Sequence, residues 1–118
     1  MSLTFTIEMA TPDHAQAIAE MAGELLSEIM QAIRVQAFHF NLEETADRLR
    51  DFLTQGKYIV FYARTADGPA GFIAVCESYA LYAEGKFGTI PEFYVRPTYR
   101  ANGLGLHLLS KAKEFGLA

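Results

Sequence analysis

The first third of the chain shows one strand-like and one helix-like hydrophobic pattern. From Leu3 to Met9 apolar and polar side chains alternate, which is the period of a strand with one buried face. Thr11, Pro12 and Asp13 then form a helix start, because threonine can cap, proline suits the first helical position and aspartate favours the positive end of the helix dipole. The apolar residues that follow recur at helical spacing: Ile18, Met21, Ala22, Leu25, Ile29 and Ile33.

A second helix is predicted from Asn41 onward. Asn41 and Glu44 have the spacing of a capping box, in which the two residues satisfy each other's backbone N–H groups. Gly56 stands where a helix carboxyl terminus needs a left-handed residue. One face of this helix would carry Leu42, Ala46, Leu49 and Leu53.

From Lys57 onward the pattern becomes that of strands. KYIVFYAR and GFIAVCES are β-branched and aromatic, and the Asp67-Gly68 pair between them indicates a hairpin. A polar loop from Tyr79 to Gly88 leads to a third strand of this group, Thr89 to Arg96, and a helix is predicted from about Gly103 to Phe115. The predicted order is β-α-α-β-β-β-α within a single domain spanning residues 1–118, with no internal repeat or linker.

Composition and charge narrow the class of protein. The chain has 118 residues, of which 51% are hydrophobic and 20% charged, so a packed core is expected. Residues 1–56 carry three Arg and nine Asp or Glu (−6), whereas residues 57–118 carry seven Lys or Arg and five Asp or Glu (+2). That balance argues against a nucleic-acid partner and suits either a site with anionic and cationic sides or two solvated surfaces of different composition.

The lengths of the apolar runs and the number of cysteines bear on membrane association and cellular location. The longest apolar runs fall short of the ~20 residues that cross a bilayer, so no membrane partner is expected. No basic n-region or long apolar stretch opens the chain, and its one cysteine, Cys76, cannot form an intramolecular disulfide. We expect a cytoplasmic protein.

The stretch VRPTYRANGLGLHLL (95–109) carries the candidate chemistry. Leu108 stands where a Rossmann fingerprint needs its third glycine, and Leu106 and His107 replace the Lys and Ser or Thr of a P-loop. Gly103 and Gly105 would still let backbone approach a ligand closely, next to the unpaired N–H groups of a helix start. Either they form an anion site suited to phosphate, or they ease a strand-to-helix turn that binds nothing.

This segment resembles the cofactor-binding segment of the GCN5-related N-acetyltransferases (GNAT). In that family a strand of the form I-x-E/D-L-Y-V-x-P-x-Y-R leads into an Arg/Gln-x-x-Gly-x-Gly/Ala loop and a helix. The matching residues are Ile90, Glu92, Tyr94, Val95, Pro97, Tyr99, Arg100, Gly103 and Gly105. The resemblance implies an α+β fold of the α/β sandwich type, with a central, mostly antiparallel sheet flanked by helices.

The resemblance also implies how coenzyme A would bind, with no metal. Loop N–H groups would hold its pyrophosphate, and the strand main chain would pair with the pantetheine arm and polarise the thioester carbonyl. Arg100 would add charge beside the phosphates, or else organise the turn from the surface. The implied cofactor-binding residues are Phe93, Tyr94, Val95, Arg100, Ala101, Asn102, Gly103, Leu104, Gly105 and Leu106.

Glu92 is the catalytic residue that the resemblance implies. An amine that attacks a thioester must lose a proton, and a carboxylate with a raised pKa can take it directly or through water. The alternatives for Glu92 are a surface strand glutamate or an ion pair with Arg96 or Lys57. Pro91, beside it, is expected at an edge or bulge, because proline removes a ladder donor, although a strand that simply ends there would also explain it.

The other polar residues are expected to have structural roles more often than catalytic or binding ones. His107 is expected to pack in its helix, and His14 to lie at the surface. His39 lies in a loop that in the family often borders the acceptor pocket. Cys76 is expected to be a small buried apolar group. Glu20, Glu24 and Glu28 form a solvated helix face or, alternatively, attract a cationic amine. No metal-ligand spacing occurs anywhere.

The last residues depart from the family pattern. Family members continue past this helix with a further strand, which forms the second wall of the cofactor cleft, and with elements that often carry a tyrosine acting as general acid. The sequence leaves two functions open: an N-acetyltransferase acting on a primary amine of a small molecule or peptide, or an incomplete domain that binds cofactor or assembles. We expect a homodimer or a complex with the missing carboxyl-terminal half, through residues 89–96 and the last helix.

Overall fold

A computed structural model describes residues 4–35, 39–79, 81 and 85–117 of the chain. Five strands and three helices occur in this part: β1 (Thr6–Met9), α1 (Ala15–Ile33), α2 (Leu42–Thr54), β2 (Ile59–Thr65), β3 (Gly68–Tyr79), β4 (Lys86–Thr89), β5 (Phe93–Val95) and α3 (Leu104–Leu117). Short 3-10 turns at Pro12–His14 and Pro97–Tyr99 precede α1 and the loop before α3. The α+β class is confirmed, with one strand more than predicted. Leu3, the predicted start of the first strand, lies outside the described residues.

All strand pairs are antiparallel, and β3 is the strand that organises the sheet. β1 pairs with β2 and β2 with β3, while the far edge of β3 carries β4 along one half and β5 along the other. The β2–β3 hairpin turns at Ala66 and Asp67, and Gly68 has a φ of 120°, so the predicted hairpin is confirmed. β5 therefore lies beside the first half of the longest strand.

The predicted strand from Thr89 to Arg96 is strand only in β5, while Thr89 ends β4, which begins inside the predicted Tyr79–Gly88 loop, so that loop was predicted too long. Between the pairs Ile73–Phe93 and Cys76–Thr89, β3 advances three residues and the opposite chain four. One extra residue is thus inserted beside Pro91, which confirms the predicted bulge. The break separates β4 from β5 and turns the Glu92 side chain toward α1 and α2, which line a pocket together with it.

The ends of α2 follow the local sequence closely. The Asn41 side chain accepts a hydrogen bond from the Glu44 N–H at 3.0 Å. At the other end, Gly56 has a φ of 72°, its N–H bonds to Leu53 O, and the Lys57 N–H bonds to Phe52 O. These two bonds form a Schellman motif, so the predicted glycine stop is confirmed.

Both faces of the sheet are covered by helices. On one face α1 and α2 bury a cluster that includes Ile18, Met21, Leu49, Phe72 and Tyr94. On the other, α3 buries a second cluster that includes Phe61, Ile73, Leu104, Leu108 and Ala112. No helix in the described part of the chain is long and apolar enough to span a bilayer.

Some predicted apolar positions lie at the surface. Ile29 and Ile33 lie in α1, as their helical spacing predicted, but they are 38% and 54% exposed. On α3, Leu106 is 72% and Phe115 42% exposed, as expected for a helix with more apolar residues than one face can bury.

Candidate functional site

Two left-handed residues shape the loop between β5 and α3. Ala101 has a φ of 71° and Gly103 a φ of 79°. A left-handed alanine costs about 1–2 kcal/mol, so the surrounding structure must impose it. Alternation of left- and right-handed residues turns successive N–H groups to one side of a loop, and such loops bind anions. The loop leads directly into the first turn of α3.

A depression of about 260 Å³ opens over this loop. Gly105 lines it, and a Cβ there would lie 3.6 Å from Val95 Cγ2 and 3.7 Å from Phe93 Cζ, in ordinary contact. Six of the ten predicted cofactor residues line the depression: Val95, Arg100, Ala101, Gly103, Gly105 and Leu106.

The other predicted cofactor residues offer mainly backbone. The Leu104 side chain is fully buried in the α3 core, and that of Tyr94 is buried toward α1. The Asn102 side chain donates a hydrogen bond to Arg100 O at 3.3 Å, while Phe93 is 37% exposed. The main-chain roles predicted for these residues are compatible with their positions.

The outer edge of β5 presents unpaired donors. Glu92 O accepts from the Ala74 N–H, and the Arg96 N–H donates to Ala70 O, both toward β3. Because an antiparallel strand alternates its bonding direction, the N–H groups of Phe93 and Val95 point to the opposite edge. β5 pairs there with no other strand of the described chain.

The Arg100 side chain is held by protein groups. Its Nε donates to Val95 O at 2.7 Å, its Nη2 donates to Glu28 at 2.8 Å, and its guanidinium lies 5.4 Å from the Tyr94 ring centre. The hydrogen bond between Arg100 and Glu28 favours the charged form of both groups. It raises the pKa of Arg100 and lowers the pKa of Glu28. These contacts support the turn-organising alternative, whereas phosphate contact by this side chain stays a prediction.

The acidic stripe on α1 faces β5 and the loop. Glu24 forms an ion pair with Arg96 at 2.8 Å and accepts a hydrogen bond from the Tyr94 hydroxyl, while Glu28 binds Arg100. Glu20 is exposed. Glu24 and Glu28 keep 40% of their side-chain surface exposed, in line with the solvated-face interpretation, and they also connect α1 to β5 and the loop.

Glu92 lies at the other end of β5, half-buried. Its Oε1 accepts a hydrogen bond from the Tyr58 hydroxyl at 3.3 Å, and its Oε2 is buried without a hydrogen-bond partner in the described part of the chain. Burial raises the pKa of Glu92, partly offset by the Tyr58 bond, which favours the carboxylate. The predicted ion pair with Arg96 or Lys57 was wrong, because Arg96 binds Glu24 and the Lys57 Nζ lies over the Phe52 ring.

The Glu92 carboxyl group forms part of the wall of a mostly apolar pocket between α1, α2 and the sheet. The pocket measures about 110 Å³. Tyr58 also lines it, and burial raises the pKa of Tyr58, with a further contribution from the charge of Glu92. The remaining lining residues are Ile18, Ala19, Ala22, Thr45, Arg48, Leu49, Phe52, Val60, Phe72 and Ala74.

The three histidines and the cysteine keep structural positions. His107 donates through Nδ1 to Gly103 O at 2.8 Å and packs edge-on against Phe5, which confirms its packing role. His14 is half-buried against Tyr62 rather than at the surface, and His39 is exposed. Cys76 is half-buried, not buried, with its Sγ 3.1 Å from Thr89 Oγ1.

Sequence reasoning missed three residues that shape the site. A Cβ at Gly71 would lie 2.7 Å from Tyr94 O, so β5 approaches β3 as closely as only glycine permits. An isolated glycine inside a strand pattern is the signal that could have revealed it. A Cβ at Gly23 would lie 2.6 Å from the Phe40 ring. The Tyr58–Glu92 contact spans 34 positions and carries no local signal.

Across the described residues, no cluster of three or more His, Cys, Asp or Glu side chains could hold a metal.

Comparison with known proteins gives the arrangement a context. A thialysine N-epsilon-acetyltransferase from Caenorhabditis elegans is 27% identical over 110 residues, which is 93% of this chain and 64% of that protein. The chain thus spans somewhat less than two thirds of the length of this curated relative. Two solved structures share the fold. A possible acetyltransferase from Clostridium difficile 630 has a TM-score of 0.75 and 19% identity, over 97% of this chain and 71% of the other.

The second solved structure is that of a predicted acetyltransferase from Clostridium acetobutylicum with acetyl-CoA. It has a TM-score of 0.70 and 16% identity, over 95% of this chain and 75% of the other. The sequence profile of the Acetyltransferase (GNAT) family matches residues 25–118, a range that contains the loop, β5 and Glu92. The chain therefore belongs to the GNAT acetyltransferase family.

Proposed function

We propose that this chain binds acetyl-coenzyme A on the β5 edge and the loop before α3, and transfers its acetyl group to a primary amine with Glu92 as general base. The observation that carries the proposal is the position of β5. This one short strand has an anion-binding loop at one end and a half-buried carboxylate at the other, with outward N–H groups between them. Acyl transfer to an amine needs these three features together.

The loop fits a pyrophosphate. Its left-handed residues and the first turn of α3 present N–H groups, and Gly105, which has no side chain, lines the depression. Acetyl-CoA would supply the thioester carbonyl that the amine attacks. The N–H groups of Phe93 and Val95 are placed to bind pantetheine amides or to polarise that carbonyl.

Glu92 fits a general base. Burial raises its pKa, which makes the carboxylate a stronger base, and the Tyr58 hydroxyl keeps one oxygen in a defined orientation. Its second oxygen, Oε2, would accept the proton that leaves the amine.

The test combines binding and turnover. Calorimetric titration should show acetyl-CoA binding to the purified chain, and a panel of primary amines should release coenzyme A thiol above an amine-free control that corrects for Cys76. Glu92→Gln should lower kcat by about 10²–10⁴-fold and spare cofactor affinity, while Glu114→Gln, an exposed glutamate on α3, should change neither. An unaltered rate in Glu92→Gln would remove that residue from the mechanism. Binding without any transfer would favour a cofactor-binding module instead.

A further inference from the structure

The pocket between α1, α2 and the sheet combines apolar walls with one buried carboxylate oxygen. Ile18, Ala22, Leu49, Phe52 and Ala74 supply hydrocarbon surface, and Glu92 contributes its carboxyl group. At about 110 Å³ the pocket is smaller than the ~150 Å³ apolar cavities that bind benzene, so it has room for a group of a few carbon atoms.

The unpartnered oxygen defines the polar part of a ligand. Tyr58 already donates to Oε1, so Oε2 is the carboxylate oxygen that lacks a donor among the described residues. A buried acceptor left without a donor is unfavourable, and a primary ammonium group supplies three donors and the opposite charge. Arg48, the other charged residue lining the pocket, is exposed and would repel a second cation.

A groove lined by acidic residues is the alternative binding site for an amine. It lies on α1 beside Phe40 and Pro97 and contains Glu20, Glu24 and Glu28. Two of these three carboxylates already pair with Arg96 and Arg100, so their charge is compensated within the protein. The pocket at Glu92, where the carboxylate has no such cation, is the better ammonium site.

We infer that this pocket receives the hydrocarbon part of the acceptor, and that the acceptor is a short, unbranched aliphatic primary amine whose nitrogen lies at Oε2 of Glu92. The inference rests on the proposed function and narrows it to a substrate class. Tyr58 acts as a positioning residue, because its bond to Oε1 leaves Oε2 directed to the amine.

The test uses n-alkylammonium ions from methyl- to hexylammonium, with binding followed by NMR shifts of the Ala22 and Ala74 methyl groups. This readout needs no turnover. Affinity should rise about fourfold for each methylene buried and stop rising near four carbons, where the pocket is full. Affinity that is flat, or that rises steadily to hexylammonium, would overturn the inference.

Matched variants locate the effect. Ala22→Leu fills the pocket, so the chain length at which affinity stops rising (the break) should move to shorter amines. Ala32→Leu, an exposed position on the same helix, should leave the affinities of the whole series unchanged. Phe52→Leu enlarges the pocket and should move the break to longer amines, so the test survives if Ala22→Leu does not fold. Glu92→Gln should weaken every member of the series by a similar factor and keep the slope. Identical series in Ala22→Leu and Ala32→Leu would place binding elsewhere.

The two proposals fail in different ways. Acetyl transfer that is indifferent to alkyl length would leave the acetyltransferase standing and remove the pocket assignment. A clear break in alkylammonium affinity without acetyl transfer would keep the pocket and remove the transferase.

Discussion

Gly103 and Gly105 serve the loop for different physical reasons, although they are two residues apart. Gly103 has a φ of 79°, a conformation that side chains with a Cβ rarely adopt. Gly105 is part of α3, and a Cβ there would meet only atoms 3.6 Å away or farther. Backbone conformation therefore requires glycine at the first position, and ligand access favours it at the second.

Gly103→Val should abolish acetyl-CoA binding and cost about 1–3 kcal/mol of stability, because a β-branched residue is strained at positive φ. Calorimetry and urea unfolding measure the two effects. Gly105→Ala should keep the stability of the wild type, since its Cβ fits. Unchanged affinity for the cofactor in Gly103→Val would exclude this loop as the phosphate site.

The raised pKa of Glu92 predicts that the free energy of unfolding depends on pH in an unusual direction. Its pKa is raised in the folded protein, so the folded state holds the proton more tightly than the unfolded state does. Stability contributed by this group is complete below the unfolded pKa of about 4.3 and declines as pH rises through the folded pKa. Glu92→Gln should therefore be more stable than the wild type at pH 7.5 and closer to it at pH 4. Urea unfolding at the two pH values would contradict the assignment if the difference were the same at both.

At the scale of elements, the local sequence predicted the structure correctly wherever a short stretch determines its own conformation. The cap at Asn41, the Schellman stop at Gly56 and the bulge at Pro91 were all readable, because a side chain or a φ restriction acts on its own neighbours. The strand β4, most of which lies in the predicted loop, was not readable, since it forms by pairing with the distant residues Cys76–Tyr79 of β3. The exposure of Ile33 likewise depends on tertiary packing and not on its helical spacing.

The packing of β5 on β3 depends on Gly71. A Cβ at this position would lie 2.7 Å from Tyr94 O and 3.2 Å from Val95 Cα, both backbone atoms that cannot rotate away. Gly71→Ala should destabilise the fold by about 1–3 kcal/mol and weaken cofactor binding, because β5 must shift. Gly88→Ala is the matched control in β4, where the nearest atom would be 4.0 Å away, and should change unfolding by about 0.5 kcal/mol or less. Equal effects of the two variants would show that β5 has room to move.

On the scale of the whole molecule, the contacts that assemble the site join distant parts of the chain. Tyr58 reaches Glu92 across 34 positions, and Glu24 and Glu28 each reach an arginine across 72. No spacing rule predicts such pairs, because they follow from helix placement on the finished sheet. The family resemblance pointed to the loop and to Glu92 as site residues, which stay predictions, but the partner of each charge required the structure.

The outer edge of β5 and the neighbouring apolar surface predict self-association. Phe93 and Leu106 are 37% and 72% exposed, and β5, which contains Phe93, has outer N–H groups without a partner strand in the described chain. Open strand edges and apolar patches both favour pairing with a second copy. Light scattering at high protein concentration should give about twice the 13.1 kDa mass of one chain.

Leu106→Lys should shift the protein to monomer, while Ile33→Lys, an exposed isoleucine on α1, should not. Leu106 also lines the depression over the loop, and the β5 edge is the surface proposed for pantetheine, so a second copy and the cofactor would compete for it. Saturating acetyl-CoA should therefore dissociate the dimer, and dilution should raise cofactor affinity by mass action. A monodisperse monomer without cofactor would contradict the association itself. A dimer that binds acetyl-CoA without dissociating would place the interface away from β5.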